Sequence, residues 1–191
     1  MAWDPTLRLM AIGTSSGAIK VFGRPGVEFY GQHQNNEYAV TKLVFLPNQG
    51  RIVSLCADNS LHLWEINEKD GVTVMEEVKA QSLEGKLKKI SAICLESSGE
   101  HLLLGTEGGN IYLLNLKTFE MSETIIYVDV VMQNIPEDYK KIPGAVEAIA
   151  EQPGDPDKIL IGYNRGLMVL WNRKKPGADQ VCSEIILALN A

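Results

Sequence analysis

An all-β fold of repeated four-stranded sheets, arranged as the blades of a β-propeller, is predicted by three features of this sequence. A hairpin pattern of two apolar strands around a short turn occurs four times. One turn position of each copy holds Gly or Asn, and strand-like segments stand both before and after each copy. Together these spell a four-stranded meander written four times, and the chain is expected to carry about four blades of an incomplete propeller.

The hairpins come first. Leu9-Met10-Ala11-Ile12-Gly13 and Ala18-Ile19-Lys20-Val21-Phe22 flank the first turn, and Arg51-Ile52-Val53-Ser54-Leu55 and Ser60-Leu61-His62-Leu63-Trp64 flank the second. The third pairs His101-Leu102-Leu103-Leu104-Gly105 with Asn110-Ile111-Tyr112-Leu113-Leu114, and the fourth runs from Lys158 to Asn172 around Asn164-Arg165-Gly166. Copies begin about 42, 50 and 57 residues apart, in the range of β-repeats. The turn position that needs a positive φ holds Gly17, Asn59, Gly109 and Gly166. Gly adopts that conformation freely and Asn is the usual second choice. The second strand of each hairpin ends on Phe22, Trp64, Leu114 or Trp171, a large apolar residue suited to plug the space between adjacent sheets.

Strands before the hairpins end near Trp3-Asp4-Pro5, Phe45-Leu46-Pro47 and Leu95; the fourth is Ala145–Ala150. Candidate fourth strands are Gly26–Tyr30, Val72–Met75, Thr124–Tyr127 and Val181–Ile186. The repeats therefore read as residues 1–32, 38–80, 87–127 and 145–188 of one domain over 1–191. The connection 128–144 is longer than compact folds use, and is either a functional loop or a structural decoration.

Composition bounds the function. With 45% hydrophobic residues in 191, the chain is long enough to bury a core. Apolar runs are too short for a membrane-spanning helix, and the N-terminus lacks the basic and apolar regions of a signal peptide. A formal charge of -6 argues against nucleic acid as the main partner. The basic clusters Lys86-Leu87-Lys88-Lys89 and Arg173-Lys174-Lys175 read as solvated loop charge, with a weak contact to anionic lipid or an acidic partner as the alternative. Cys56, Cys94 and Cys182 are widely spaced and odd in number, which points to buried thiols in a reducing compartment rather than a disulfide framework.

No residue of the sequence stands out as catalytic, cofactor-binding or metal-ligating. His33, His62 and His101 show no short-range ligand spacing with one another or with cysteine, and His62 falls where strand alternation expects a solvent-facing side chain. Gly105-Thr106-Glu107-Gly108-Gly109-Asn110 lacks the Lys-Ser/Thr and the helix of a phosphate loop. Asp58, Glu65 and Glu107 read as turn and strand-end polar groups.

Leu61-His62-Leu63-Trp64-Glu65 and Leu167-Met168-Val169-Leu170-Trp171-Asn172 resemble the Trp-Asp strand of WD40 repeats, in a divergent form without an opening Gly-His. Within that group, Leu9–Thr14 with Gly17–Glu28, Leu103–Tyr112 and the hairpin from Ile159 to Trp171 resemble the lethal giant larvae family, relatives of tomosyn. Ile135-Pro136-Glu137-Asp138-Tyr139 and Pro143-Gly144-Ala145-Val146-Glu147 also look more like that family than like tomosyn.

The resemblance implies a non-enzymatic double-propeller scaffold of cell polarity and exocytosis, in the cytoplasm and at the cell cortex or the inner face of the plasma membrane. Its implied partners are non-muscle myosin II, syntaxin-type SNAREs and atypical protein kinase C with Par6, with no cofactor. Peripheral membrane association would come through parts of the family's proteins outside these residues. A tomosyn-like inhibitor of SNARE assembly is the nearer alternative and a propeller hydrolase the remoter one. As a fragment, the chain is expected to expose unpaired sheet edges.

Overall fold

The computed structural model describes residues 1–33, 38–133, 135, 137 and 143–182, without the side chains of 180 and 182. Its strands form four antiparallel four-stranded sheets, each a meander in chain order. The first sheet holds β1 (Ala2–Asp4), β2 (Leu9–Gly13), β3 (Ala18–Phe22) and β4 (Glu28–Gln32); the second holds β5 (Val40–Leu46), β6 (Arg51–Cys56), β7 (Ser60–Lys69) and β8 (Val72–Ser82). The third holds β9 (Ile90–Leu95), β10 (His101–Thr106), β11 (Ile111–Asn115) and β12 (Glu120–Ile126). A short helix α1 (Val128–Met132) precedes the fourth, which holds β13 (Val146–Gln152), β14 (Asp155–Tyr163), β15 (Met168–Asn172) and β16 (Gly177–Cys182). These are WD40-like blades of a β-propeller. They group into two compact units, Met1–Lys86 and Leu87–Ala191, with two blades in each.

The hairpin turns follow the backbone logic of their residues. Gly17, Asn59, Gly109 and Gly166 all have positive φ, at 81, 66, 85 and 88°. A further turn, Asp70-Gly71 with φ of 52 and 77°, joins β7 to β8 and lets that pair run well beyond the strand expected at Val72–Met75. Asp-Gly is the two-residue sequence that a hairpin with both φ positive prefers.

In the first unit, Ala11, Ile19 and Val21 of one blade pack against Leu43, Phe45, Ile52 and Trp64 of the next. Trp64 is 1% exposed and fills the space over Gly31, where a Cβ would lie 2.8 Å from its ring. Phe22, at the matching position of the first sheet, is half-buried. In the second unit, Trp171 joins one core with Leu103, Ile111 and Leu113 of the preceding blade. The plug role expected of the two tryptophans therefore holds within each unit.

Buried carboxylates tie blade to blade at equivalent positions. Asp4, fully buried, accepts backbone N–H bonds from Thr6 at 2.9 Å and Leu7 at 3.0 Å, and its other oxygen accepts from Asn48 N–H of the next blade at 2.9 Å. Glu96, also buried, pairs with Arg173 of the next blade and with His101 at 3.1 Å.

Candidate functional site

The long connection after the third blade begins as part of the core. Asn110 Oδ1 accepts the Val128 N–H at 3.0 Å, which starts α1 at the end of β12. Val131 and Ile135 are buried among Ile161, Tyr163 and Leu167. The first half of this segment is thus structural, while 134, 136 and 138–142 lie outside the described residues.

Beside α1 the second unit opens a groove of about 590 Å³. Its apolar surface comes from Leu113, Ile126, Tyr127, Val130 and Trp171, and a rim of Glu96, Asp157, Arg173 and Lys174 surrounds it. Tyr127 is 50% exposed although it is a large aromatic side chain. The rim charges are paired: Arg173 with Glu96, and Lys174 with Asp157 at 2.7 Å. Asp157 raises the Lys174 pKa through that hydrogen bond and its charge. Two of the three cations in the basic cluster Arg173-Lys174-Lys175 are therefore paired, and the cluster's backbone is held by Asn172 Oδ1, which accepts the N–H groups of Lys174 and Lys175.

A second cluster lies in the first unit, and strand alternation alone misplaces it. His62 is 7% exposed, not solvent-facing, because its face of β7 is covered by the preceding blade. His33, just past β4, stacks edge-on against His62 at a centroid distance of 4.3 Å and against Trp64 at 4.7 Å. Its Nδ1 lies 2.6 Å from the Gly17 carbonyl, which can only accept, so Nδ1 carries the hydrogen. His33 Nε2 then faces the Ser54 hydroxyl at 3.2 Å and Cys56 Sγ at 3.5 Å, and Ser54 Oγ accepts the Trp64 indole N–H at 2.9 Å. On the other side, Ser60 donates to Asp58 at 2.6 Å and lies 2.8 Å from His62 Nε2. His62 Nδ1 is buried 3.3 Å from Glu77 Oε2, with no well-directed hydrogen bond among the described residues.

Burial shapes the protonation of this cluster. Desolvation pushes the Cys56 thiol up to about 11, helped by the negative charge of Asp58. Desolvation likewise lowers the His33 pKa, against the Gly17 carbonyl, which raises it. Glu77, His62 and Ser60 follow the connectivity of a nucleophile relay, but Ser60 is buried, and its proton is directed to Asp58. Cys94, expected to be buried, is half-buried beside β13, and the side chain of Cys182 lies outside the described residues. No helix among the described residues is long and apolar enough to cross a membrane.

The family profile described as "Anaphase-promoting complex subunit 4 WD40 domain" matches residues 1–83. Lethal(2) giant larvae protein of Drosophila melanogaster is 51% identical over 177 residues, covering 90% of this chain and 15% of that protein. LLGL scribble cell polarity complex component 2 of Homo sapiens is 43% identical over 181 residues, covering 90% of this chain and 18% of that one. Lethal(2) giant larvae protein homolog 1 of Mus musculus is 41% identical over 195 residues, covering 95% and 19%.

Among solved structures, a chain of the "Crystal Structure of Mitotic Checkpoint Complex" superposes with a TM-score of 0.67 at 11% identity, over 95% of this chain and 49% of that chain. That likeness concerns the fold alone. The chain spans less than a fifth of the length of these curated relatives. By sequence, it belongs to the lethal giant larvae family.

Proposed function

We propose that this chain supplies a partner-docking face to a non-enzymatic scaffold of cell polarity and regulated exocytosis, working in the cytoplasm and at the cell cortex. Its partners on this reading are non-muscle myosin II, syntaxin-type SNAREs and atypical protein kinase C with Par6. Family membership supports the polarity role, since one relative is named as a component of a scribble cell polarity complex. The observation that carries the docking role is the groove beside α1, where Tyr127 and Val130 are exposed over an apolar floor and the surrounding charges are paired among themselves. Apolar anchors inside a polar rim are the anatomy of a protein interface.

Calorimetric titration of the full-length protein with the cytosolic part of a syntaxin, the myosin II tail and the kinase–Par6 complex tests this reading. Tyr127→Ala and Val130→Asp are expected to weaken at least one of these by tenfold or more while the circular dichroism spectrum is unchanged. Wild-type protein that binds none of the three would overturn the partner assignment. Unchanged binding by both variants would move the docking face elsewhere. Inhibition of SNARE assembly by the wild type would favour the tomosyn-like alternative.

A further inference from the structure

We infer that His33, Cys56 and His62 form a buried binding site for a single thiophilic divalent cation of the Zn²⁺ class, held through His33 Nε2, Cys56 Sγ and His62 Nε2. One donor atom from each of the three lies within 4.8 Å of those of the others, and all three residues are buried. With bonds of about 2.0–2.3 Å, donors around a tetrahedral zinc stand roughly 3.3–3.8 Å apart. Cys56 Sγ and His33 Nε2 already stand at 3.5 Å. The donor set is also chemically apt, since thiolate with imidazole is the combination that selects zinc over hard cations.

The surroundings orient both rings for the task. A ligating histidine normally gives its other N–H to a carbonyl or a carboxylate, which fixes the tautomer. His33 gives Nδ1–H to the Gly17 carbonyl at 2.6 Å. His62 presents Nδ1 to Glu77 Oε2 at 3.3 Å, an acceptor-only partner, and forms no directed hydrogen bond there. In the metal-free network the Ser60 proton goes to Asp58, so His62 Nε2 must supply the hydrogen in its contact with Ser60. A neutral His62 then turns a bare lone pair toward the Glu77 carboxylate. Moving the proton to Nδ1 and placing a cation on Nε2 removes that conflict.

Asp58 and Glu77 are the carboxylates whose charge acts on both His33 and Cys56. A dication beside a Cys56 thiolate and Glu77 is neutralised where it sits. Binding releases the thiol proton to solvent and exchanges the Ser54–His33 and Ser60–His62 contacts for metal bonds. Ser54 keeps the Trp64 indole and Ser60 keeps Asp58. The ion would join the first blade, through His33, to the second.

The test uses full-length protein stripped of metal with a chelator and titrated with Zn²⁺, alongside Cys56→Ser, His62→Gln and a control Cys94→Ser. Wild type and Cys94→Ser are expected to bind one more equivalent of Zn²⁺ than Cys56→Ser and His62→Gln, and to show a rise in Tm on binding that those two lack. Equal stoichiometry in all four proteins, or a Tm indifferent to Zn²⁺, would leave a hydrogen-bonded core cluster only and overturn the proposal. Where Cys56→Ser or His62→Gln fails to fold, Co²⁺ loaded into the wild type decides. Tetrahedral d–d bands with a thiolate-to-cobalt charge-transfer band, retained in Cys94→Ser, sustain the site, and their absence overturns it.

Discussion

A Cβ on Gly105 would lie 2.5 Å from Cγ1 of Val146, so the end of β10 meets β13 of the next blade with no room for a side chain. Gly13 and Val40 repeat the relation in the first unit, at 2.4 Å. Gly105→Ala and Gly13→Ala are each expected to lower stability by about 1–3 kcal/mol, the usual cost of overpacking. Gly162, at the same place in the fourth blade, has its nearest neighbour among the described residues at 3.8 Å, so Gly162→Ala is the tolerated control. Urea midpoints measure all three, and partial recovery in Gly105→Ala with Val146→Ala would locate the strain.

Tyr163 has a buried hydroxyl with no hydrogen-bond partner among the described residues. Removing an unsatisfied polar group relieves its desolvation cost, so Tyr163→Phe should be neutral or stabilising by about 1 kcal/mol. Burial raises the Tyr163 pKa above its ordinary 10.0. The unfolded chain therefore ionises first, and the folded state loses stability as pH rises beyond about 10. Denaturation followed from pH 8 to 11 should show a steeper alkaline loss in wild type than in Tyr163→Phe.

Asp4 holds three backbone N–H groups with two oxygens and is fully buried. Asp4→Ala strands those donors, and at about 1–3 kcal/mol for each group left unsatisfied a loss near 3 kcal/mol is expected. Hydrogen exchange should report it at the Asn48 amide of the next blade as well as at Thr6 and Leu7. Loss confined to Thr6 and Leu7 would show that the link between blades carries little.

Gly166 turns the fourth hairpin at a φ of 88°. Gly166→Ala is expected to cost about 1–2 kcal/mol, because a Cβ is disfavoured in left-handed backbone. Gly166→Asn should cost less, as Asn59 occupies the equivalent turn of the second blade at 66°. Thermal midpoints of the two variants measure the difference.

Much of the fold is local chemistry, and that is why it could be read. Gly17, Asn59, Gly109 and Gly166 announce their turns because positive φ is a property of one residue at a time. Alternation along Val40–Phe45 announces a strand for the same reason. The limits appear where local rules meet tertiary cover. His62 obeys the alternation of β7 yet is buried, because it shares the face of Trp64, which the preceding blade covers, and the period of a strand does not say which of its faces meets water. Asp70-Gly71 was a hairpin signal in plain view, masked by the charged residues of the β7–β8 extension around it.

By itself the sequence determined four meanders, their turns, the tryptophans that plug between sheets, and the lethal giant larvae lineage. Each of these rests on spacing within a few tens of residues, where backbone preference and side-chain period act directly. Only the tertiary structure decided that His33, Cys56 and His62 converge, that Asp4 and Glu96 reach into the following blade, and that a groove opens beside α1. Those depend on how one sheet lies on the next, which packing settles and no single stretch of chain encodes.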